Sequence, residues 1–321
     1  MSNTIRVTRS FIAADALAEV INAEYDFEAP VDCKLFSKVL RTQDNDHYKI
    51  LAGEQKYVVR VYQIASHLNR QQSDYEYELA WLDFLREQEL PVSYPIRRKD
   101  GRFLGSVNAP EGQRYYAIFS FAEGQPMNIH NEDQLFALGA SMARIHTVSN
   151  NFQTDYERQP MNLEFLVDWP VERLKHIWGG RRSRQRDLDL LVNSAADAKE
   201  ELLELIRNPY RTENSWGPIG GDFHSHNTYF IDDDSPTFFN FDLCGPGWRA
   251  YDIATFLLNT DLLNISQDLT EAFFAGYYSQ RPLSDNEHAA ISPFLTIRRV
   301  WLTAAFTRED VPVGYSFIAP A

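Results

Sequence analysis

G-G-D-F-H-S-H-N-T-Y-F-I, residues 220–231, crowds an aspartate, two histidines and an asparagine into six positions between apolar flanks. Three readings compete. Asp222, His224 and His226 alternate, and on a strand they would share one face as metal ligands do. Against that, His47, His67, His130, His146, His176 and His288 are scattered and supply no second cluster. A polar turn whose side chains satisfy nearby backbone groups would look similar and do no chemistry. The third reading is phosphoryl transfer. An Asp followed five residues later by an Asn, on a loop entering a hairpin, is the spacing of a kinase catalytic loop. The carboxylate orients and deprotonates an attacking hydroxyl, and the carboxamide is an oxygen ligand for Mg²⁺. The downstream sequence favours this reading. Thr228–Ile231 and Phe238–Phe241 read as strands joined by the turn residues Asp232-Asp233-Asp234-Ser235-Pro236. That hairpin returns F-F-N-F-D, Phe238 to Asp242, to the place where a second metal ligand is needed.

Upstream, apolar residues at helical spacing mark Phe11–Asn22, with Phe11, Ala14, Leu17, Val20 and Ile21 on one face. Short strands follow at Cys33–Leu40, His47–Ala52 and Tyr57–Tyr62, the last two joined by a turn at Gly53-Glu54-Gln55-Lys56. Asp74–Glu87 is helical, and Tyr115–Phe121 is an aromatic-rich strand. Beyond Pro126 the pattern turns helical, at Glu132–His146, around Ala198–Ile206, and from Tyr251 onward. The basic run Gly179–Arg186 reads as a solvated loop or helix start. The expected architecture is α+β and bilobal. Residues 1–121 form a small antiparallel β lobe with one helix, and residues 122–321 form a larger, mostly helical lobe carrying the hairpin.

The bulk properties agree. A chain of 321 residues suits two lobes. A net charge of −14 argues against nucleic acid as partner. Two distant cysteines, Cys33 and Cys244, point to a reducing compartment. The N-terminus lacks a signal-peptide apolar run, and no stretch approaches the ~18 apolar residues of a membrane span. A cytoplasmic location is the expectation.

G-G-D-F-H-S-H-N and F-N-F-D-L-C-G-P-G-W-R-A-Y-D-I-A together resemble the H-G-D-x-H-x-x-N and D-x-D…G-P-x-x-x-D signatures of the aminoglycoside phosphotransferase and choline kinase-like superfamily. Within it the chain is most similar to the bacterial stress-response Ser/Thr kinase and type II homoserine kinase branch. Upstream segments agree in order. Asp44–Ile50 resembles the phosphate-covering hairpin, Tyr57–Tyr62 the strand with the nucleotide-pairing cation, Tyr77–Leu85 the helix with its Glu partner, and Tyr115–Gln125 the hinge strand. The resemblance implies an ATP- and Mg²⁺-dependent phosphotransferase with an alcohol acceptor. It implies Asp222 as catalytic base, Asn227 as Mg²⁺ ligand, and Arg60 on the α/β-phosphates. Glu78 would fix Arg60, with Glu76 as the alternative partner. Ser120, Phe121 and Ala122 would offer backbone groups to adenine. Asp252 would hold the catalytic loop through backbone hydrogen bonds, and His224 would help orient it. The acceptor, a small-molecule hydroxyl or a protein Ser/Thr, is left open. Trp169, Trp178 and Trp301 either shape an acceptor pocket or belong to the core.

Three positions depart from the pattern. Gly220 replaces a bracing His, Arg60 replaces the commoner Lys, and Asn240 falls where the second metal-binding Asp belongs. Arg can clamp phosphate at two points. Asn240 offers only a neutral oxygen. Asp242, two residues on, would face the same side of an extended segment, roughly 6–7 Å away. Either could hold metal; alternatively the chain is a catalytically impaired nucleotide-binding or regulatory module.

Overall fold

In the computed structural model, residues 7, 9–36, 45–63, 68, 70–206 and 215–307 are described. The chain divides into two compact units, one through Ala122 with Thr154–Glu157, the other Glu123–Gln153 and Arg158 onward.

In the first unit burial alternates residue by residue along Asp46–Ala52. Helix α1 (Ala14–Glu24) precedes β1 (Val31–Leu35), β2 (Asp46–Ala52) and β3 (Gln55–Val61). Helix α2 (Gln72–Glu87), β4 (Gly105–Ala109) and β5 (Gly112–Ser120) complete it. The five strands form one antiparallel sheet in the order β1-β2-β3-β5-β4. Tyr48 and Ile50 of β2, Val59 and Val61 of β3, and Tyr116 and Ile118 of β5 bury one face against Leu17 and Ile21 of α1. Apolar side chains on one face with a period of two make that sheet face the core. Gly53 (φ 64°) makes the β2–β3 turn, and pairing resumes at Ala52 with Gln55, so Gln55 and Lys56 belong to β3 and not to the turn. Helix α2 opens with a capping box between Gln71 and Asp74. The unit holds two helices, α1 and α2, both marked by apolar spacing, and not the one helix expected of the lobe. Phe11, expected on the α1 core face, lies before the helix and is 45% exposed. Strand β4 was not expected. Residues 37–40 of the expected first strand, and Asp44, lie outside the described residues.

In the second unit, β6 (Gln125–Pro126) is followed by helices α3 (Glu132–Val148), α4 (Trp169–Trp178) and α5 (Gln185–Leu205). Next come β7 (Trp216–Ile219), β8 (Thr228–Phe230), β9 (Pro236–Phe238) and β10 (Gly245–Trp248), then α6 (Arg249–Leu262), α7 (Gln267–Gln280) and α8 (Asp285–Phe306). The expected hairpin is β8–β9, widened by β6 into three antiparallel strands. Strands β7 and β10 form a second antiparallel pair. The second hairpin strand runs Pro236–Phe238 and not Phe238–Phe241, because Asn240 takes a left-handed backbone (φ 66°) that ends the ladder. Of Trp169, Trp178 and Trp301, the last two are buried. Trp169 stacks on Phe165, and Trp301 lies tilted against both rings.

Helices α3 and α7 meet at two glycines. A Cβ on Gly139 would lie 2.0 Å from the Phe273 carbonyl oxygen, and one on Gly276 would lie 2.0 Å from that of Phe136. Gly139→Ala should therefore force the helices apart, with a cost in the range of ~1–3 kcal/mol known for overpacked interiors. A thermal melt checks this, and an unchanged midpoint would contradict the close approach.

Candidate active site

Strand β7 delivers the chain to Gly220 and Gly221, and Asp252 in the first turn of α6 receives it. The Gly220 N–H donates to Asp252 Oδ2 (2.8 Å) and the Gly221 N–H to Asp252 Oδ1 (2.6 Å). On the other side His146 Nε2 meets Asp252 Oδ2 at 3.0 Å, and His146 Nδ1 meets the Tyr277 hydroxyl at 2.8 Å. Asp252 thus holds the loop through its backbone. Both glycines are dictated by space. A Cβ on Gly220 would lie 2.6 Å from the Phe223 ring. At Gly221, with φ of 74°, it would lie 2.6 Å from the Leu243 carbonyl oxygen.

Burial lifts the Asp252 carboxyl to about 7 against the Gly220 and Gly221 amides, Arg249 and Arg298. Burial likewise drives the His146 ring well below its ordinary value, helped by Arg249 and Arg281. In the unfolded chain an aspartate titrates near ~4 and a histidine near ~6.5. Between those values folding moves a proton from His146 to Asp252 with no net uptake, so the pair adds no slope to stability. His146→Asn leaves Asp252 alone. Its raised folded-state pKa gives stability at low pH that is lost as pH rises toward 7. The melting temperature of this variant should therefore fall relative to the native protein between about pH 5 and 6.5. Parallel pH profiles would contradict the assignment.

Asp222 follows the clamp, with its side chain 17% exposed. Its Oδ1 accepts from Arg298 Nη2 of α8, and its Oδ2 lies 3.4 Å from His224 Nε2. Burial would raise this carboxyl, but Arg298 and then His224 outweigh it and hold it at about 2. His224 braces the turn. Its Nδ1 accepts the His226 N–H (3.1 Å), and its Nε2 meets Asn227 Nδ2 at 3.0 Å. Asn227, in the short 3₁₀ turn Ser225–Asn227, also donates to the Asp222 carbonyl (3.1 Å). Among the described residues no three His, Cys, Asp or Glu side chains are placed to share a metal. Asp222, His224 and His226 do not form a cage, because a 3₁₀ turn replaces the strand that would align them.

The hairpin brings Asn240 to Asn227, with Asn240 Nδ2 donating to Asn227 Oδ1 at 3.3 Å. The extended geometry expected for Asn240 and Asp242 is not found. Asn240 is left-handed and Asp242–Leu243 form a turn, so two-residue alternation does not apply. The Asp242 carbonyl accepts from Arg158 (2.5 Å). Asn tolerates the left-handed region better than most residues.

In the first unit Arg60 Nη1 and Glu78 Oε1 pair at 2.5 Å, with side chains 5% and 1% exposed. Glu78, not Glu76, is the partner; Glu76 hydrogen-bonds Gln72. Arg60 also stacks over Phe119, 4.8 Å from its centroid. The Ser120 backbone is already engaged. Its N–H donates to the Tyr94 carbonyl (2.8 Å), and its carbonyl accepts the Ser93 hydroxyl (2.6 Å). Lys49 and Lys56 lie 5.1 and 5.5 Å from the Phe121 ring.

Sequence reasoning missed Arg298 and His146. Arg298 stands among Phe294, Ile297 and Trp301 on the buried stripe of α8. A cation on an apolar stripe needs a buried partner, and that signal was readable.

A five-stranded antiparallel sheet, and a helical unit whose loop presents Asp222 and Asn227, define a kinase-like phosphotransferase fold. Solved structures share it. An aminopropanol kinase associated with a microcompartment matches with a TM-score of 0.71 at 23% identity, over 92% of this chain and 90% of that one. An amicoumacin kinase complex matches with a TM-score of 0.72 at 18% identity, over 90% and 84%. The chain belongs to the phosphotransferase enzyme family, whose model matches residues 36–290, and is an enzyme of the kinase and phosphotransferase class. It is 30% identical over 295 residues to the uncharacterized protein sll1119 of Synechocystis sp., covering 91% of this chain and 77% of the relative. It is 25% identical over 263 residues to a homoserine kinase of Rhizobium rhizogenes, covering 76% of each. No helix among the described residues is long and apolar enough to cross a membrane.

Proposed function

We propose that the protein transfers the γ-phosphoryl group of ATP, taken up as its Mg²⁺ complex, to the hydroxyl of a small molecule. The observation that carries this reading is the convergence of Asp222, Asn227 and Asn240 on one loop and the hairpin behind it. Asp222 orients the hydroxyl and receives its proton. Being strongly ionised, it works more by orientation than by basicity. Arg60, fixed by Glu78, meets the phosphates, and Phe121 and Ala122 meet the adenine. Residues 1–121 thus serve the nucleotide, and residues 122–321 serve catalysis and the acceptor. A small alcohol is favoured over a protein Ser/Thr, since the homoserine and aminopropanol kinases are named for small alcohols.

The donor set fits a magnesium ion arriving with its nucleotide better than a resident one. Asn227 and Asn240 are hard oxygen donors without charge, and a triphosphate supplies the anionic oxygens they lack. Charge neutralisation on the phosphates is what Mg²⁺ supplies when bound. A thermal-shift panel tests this. Mg²⁺ alone should leave the midpoint unchanged, whereas ATP with Mg²⁺ should stabilise by about 2.7 kcal/mol at a hundredfold excess over Kd. Asn227→Ala should lose the Mg²⁺-dependent part. No shift with any nucleotide would contradict the reading. The neutral Asn240 favours one second reading, an impaired module that binds nucleotide without passing phosphate on.

A further inference from the structure

We propose that Arg298 is a positioning residue for the reaction, fixing the rotamer of Asp222 so that Oδ2 is the carboxylate oxygen left for the acceptor hydroxyl. This rests on the reading of Asp222 as the group that receives the hydroxyl. One guanidinium spans two parts of the loop: Nη2 donates to Asp222 Oδ1, and Nη1 donates to the Gly221 carbonyl at 3.3 Å. The same Nη1 reaches the Tyr251 hydroxyl of α6 at 3.3 Å. Backbone and carboxylate are thus tied to a single rigid fork. Arg298 itself is anchored, 4% exposed and lying 5.1 Å from the centroid of the Trp301 ring. With Arg298 on Oδ1, the longer contacts fall on Oδ2, 3.4 Å from His224 Nε2 and 3.5 Å from Asn227 Nδ2, so Oδ2 is the more weakly held oxygen. A lysine at this position would carry the charge but could not bridge both partners in the plane of a fork. Displacing a reacting group by ~1 Å can cost about 10²-fold in rate, which makes such a tie worth having.

The test compares native protein, Arg298→Ala and Arg298→Lys in steady-state turnover of MgATP with a hydroxyl acceptor, each first shown folded by circular dichroism. Arg298→Ala should lose about 10²-fold in kcat with little change in KM for MgATP. Arg298→Lys should keep the KM and recover only part of the kcat. Added methylguanidine should restore kcat in Arg298→Ala and leave the native enzyme unaffected. A merely structural role would not give that rescue. Should Arg298→Ala not fold, Arg298→Lys carries the test, with reduced kcat at native KM expected. Native kcat in either variant, or no rescue in a folded Arg298→Ala, overturns the proposal while leaving the phosphotransferase reading intact. Absence of turnover in the native protein overturns both, and it is seen before any variant is made.

Discussion

Asp222→Asn should lower turnover by about 10²–10⁴-fold, the range a positioned base contributes, while the protein stays folded. The substitution removes the charge and the ability to take a proton. It keeps a carbonyl oxygen for Arg298 Nη2, which donates to Asp222 Oδ1 in the native protein. The backbone clamp of Gly220 and Gly221 on Asp252 is untouched. Nucleotide affinity should therefore change little, and the loss should sit in kcat. Turnover close to native would remove Asp222 from the reaction. A lost fold would show that its ion pair with Arg298 is architectural.

Arg60→Met should produce the largest loss of stability, about 3–5 kcal/mol, because it leaves Glu78 as a buried charge without its counterion. Glu78 Oε2 already has no hydrogen-bond partner among the described residues, so the whole compensation runs through Oε1 and Arg60. The double variant Arg60→Met with Glu78→Leu removes both charges and should recover most of that stability, since apolar replacements of a buried pair are often neutral or better. It should not recover nucleotide binding. Urea denaturation of the single and double variants, beside nucleotide binding by calorimetry, separates the two roles. Equal stability of the two variants would contradict the desolvation argument. Native nucleotide affinity in the double variant would contradict a phosphate role for Arg60.

The parts legible in the sequence were those written in local spacing. Asn227 lies five positions after Asp222, and turn residues at 232–236 announced the hairpin, so loop and hairpin could be placed together. Arg60 and Glu78 were placed instead by the resemblance of Tyr57–Tyr62 and Tyr77–Leu85 to the cation strand and partner helix of the superfamily. Long-range partners left weaker traces. Arg298 lies 76 residues from Asp222, and His146 lies 106 from Asp252, so neither pairing has a period to read. Strands β7 and β10, W-G-P-I and G-P-G-W, are rich in Gly and Pro and lack strand alternation, and their pairing is set by tertiary context. The left-handed Asn240 broke the strand expected through Phe241, and only backbone geometry reveals it. The hydrogen bonds of the Ser120 backbone to Ser93 and Tyr94 are likewise visible only in the structure.

The central claim is that this loop moves a phosphoryl group, and ³¹P NMR of native protein with ATP, Mg²⁺ and a panel of small alcohols reads that event directly. Homoserine and aminopropanol head the panel. A new phosphomonoester resonance that grows with ADP, and is absent when EDTA replaces Mg²⁺, is the predicted result. ATP left intact beside every alcohol, by a protein that nonetheless binds it, would contradict the claim and leave a nucleotide-binding module in its place.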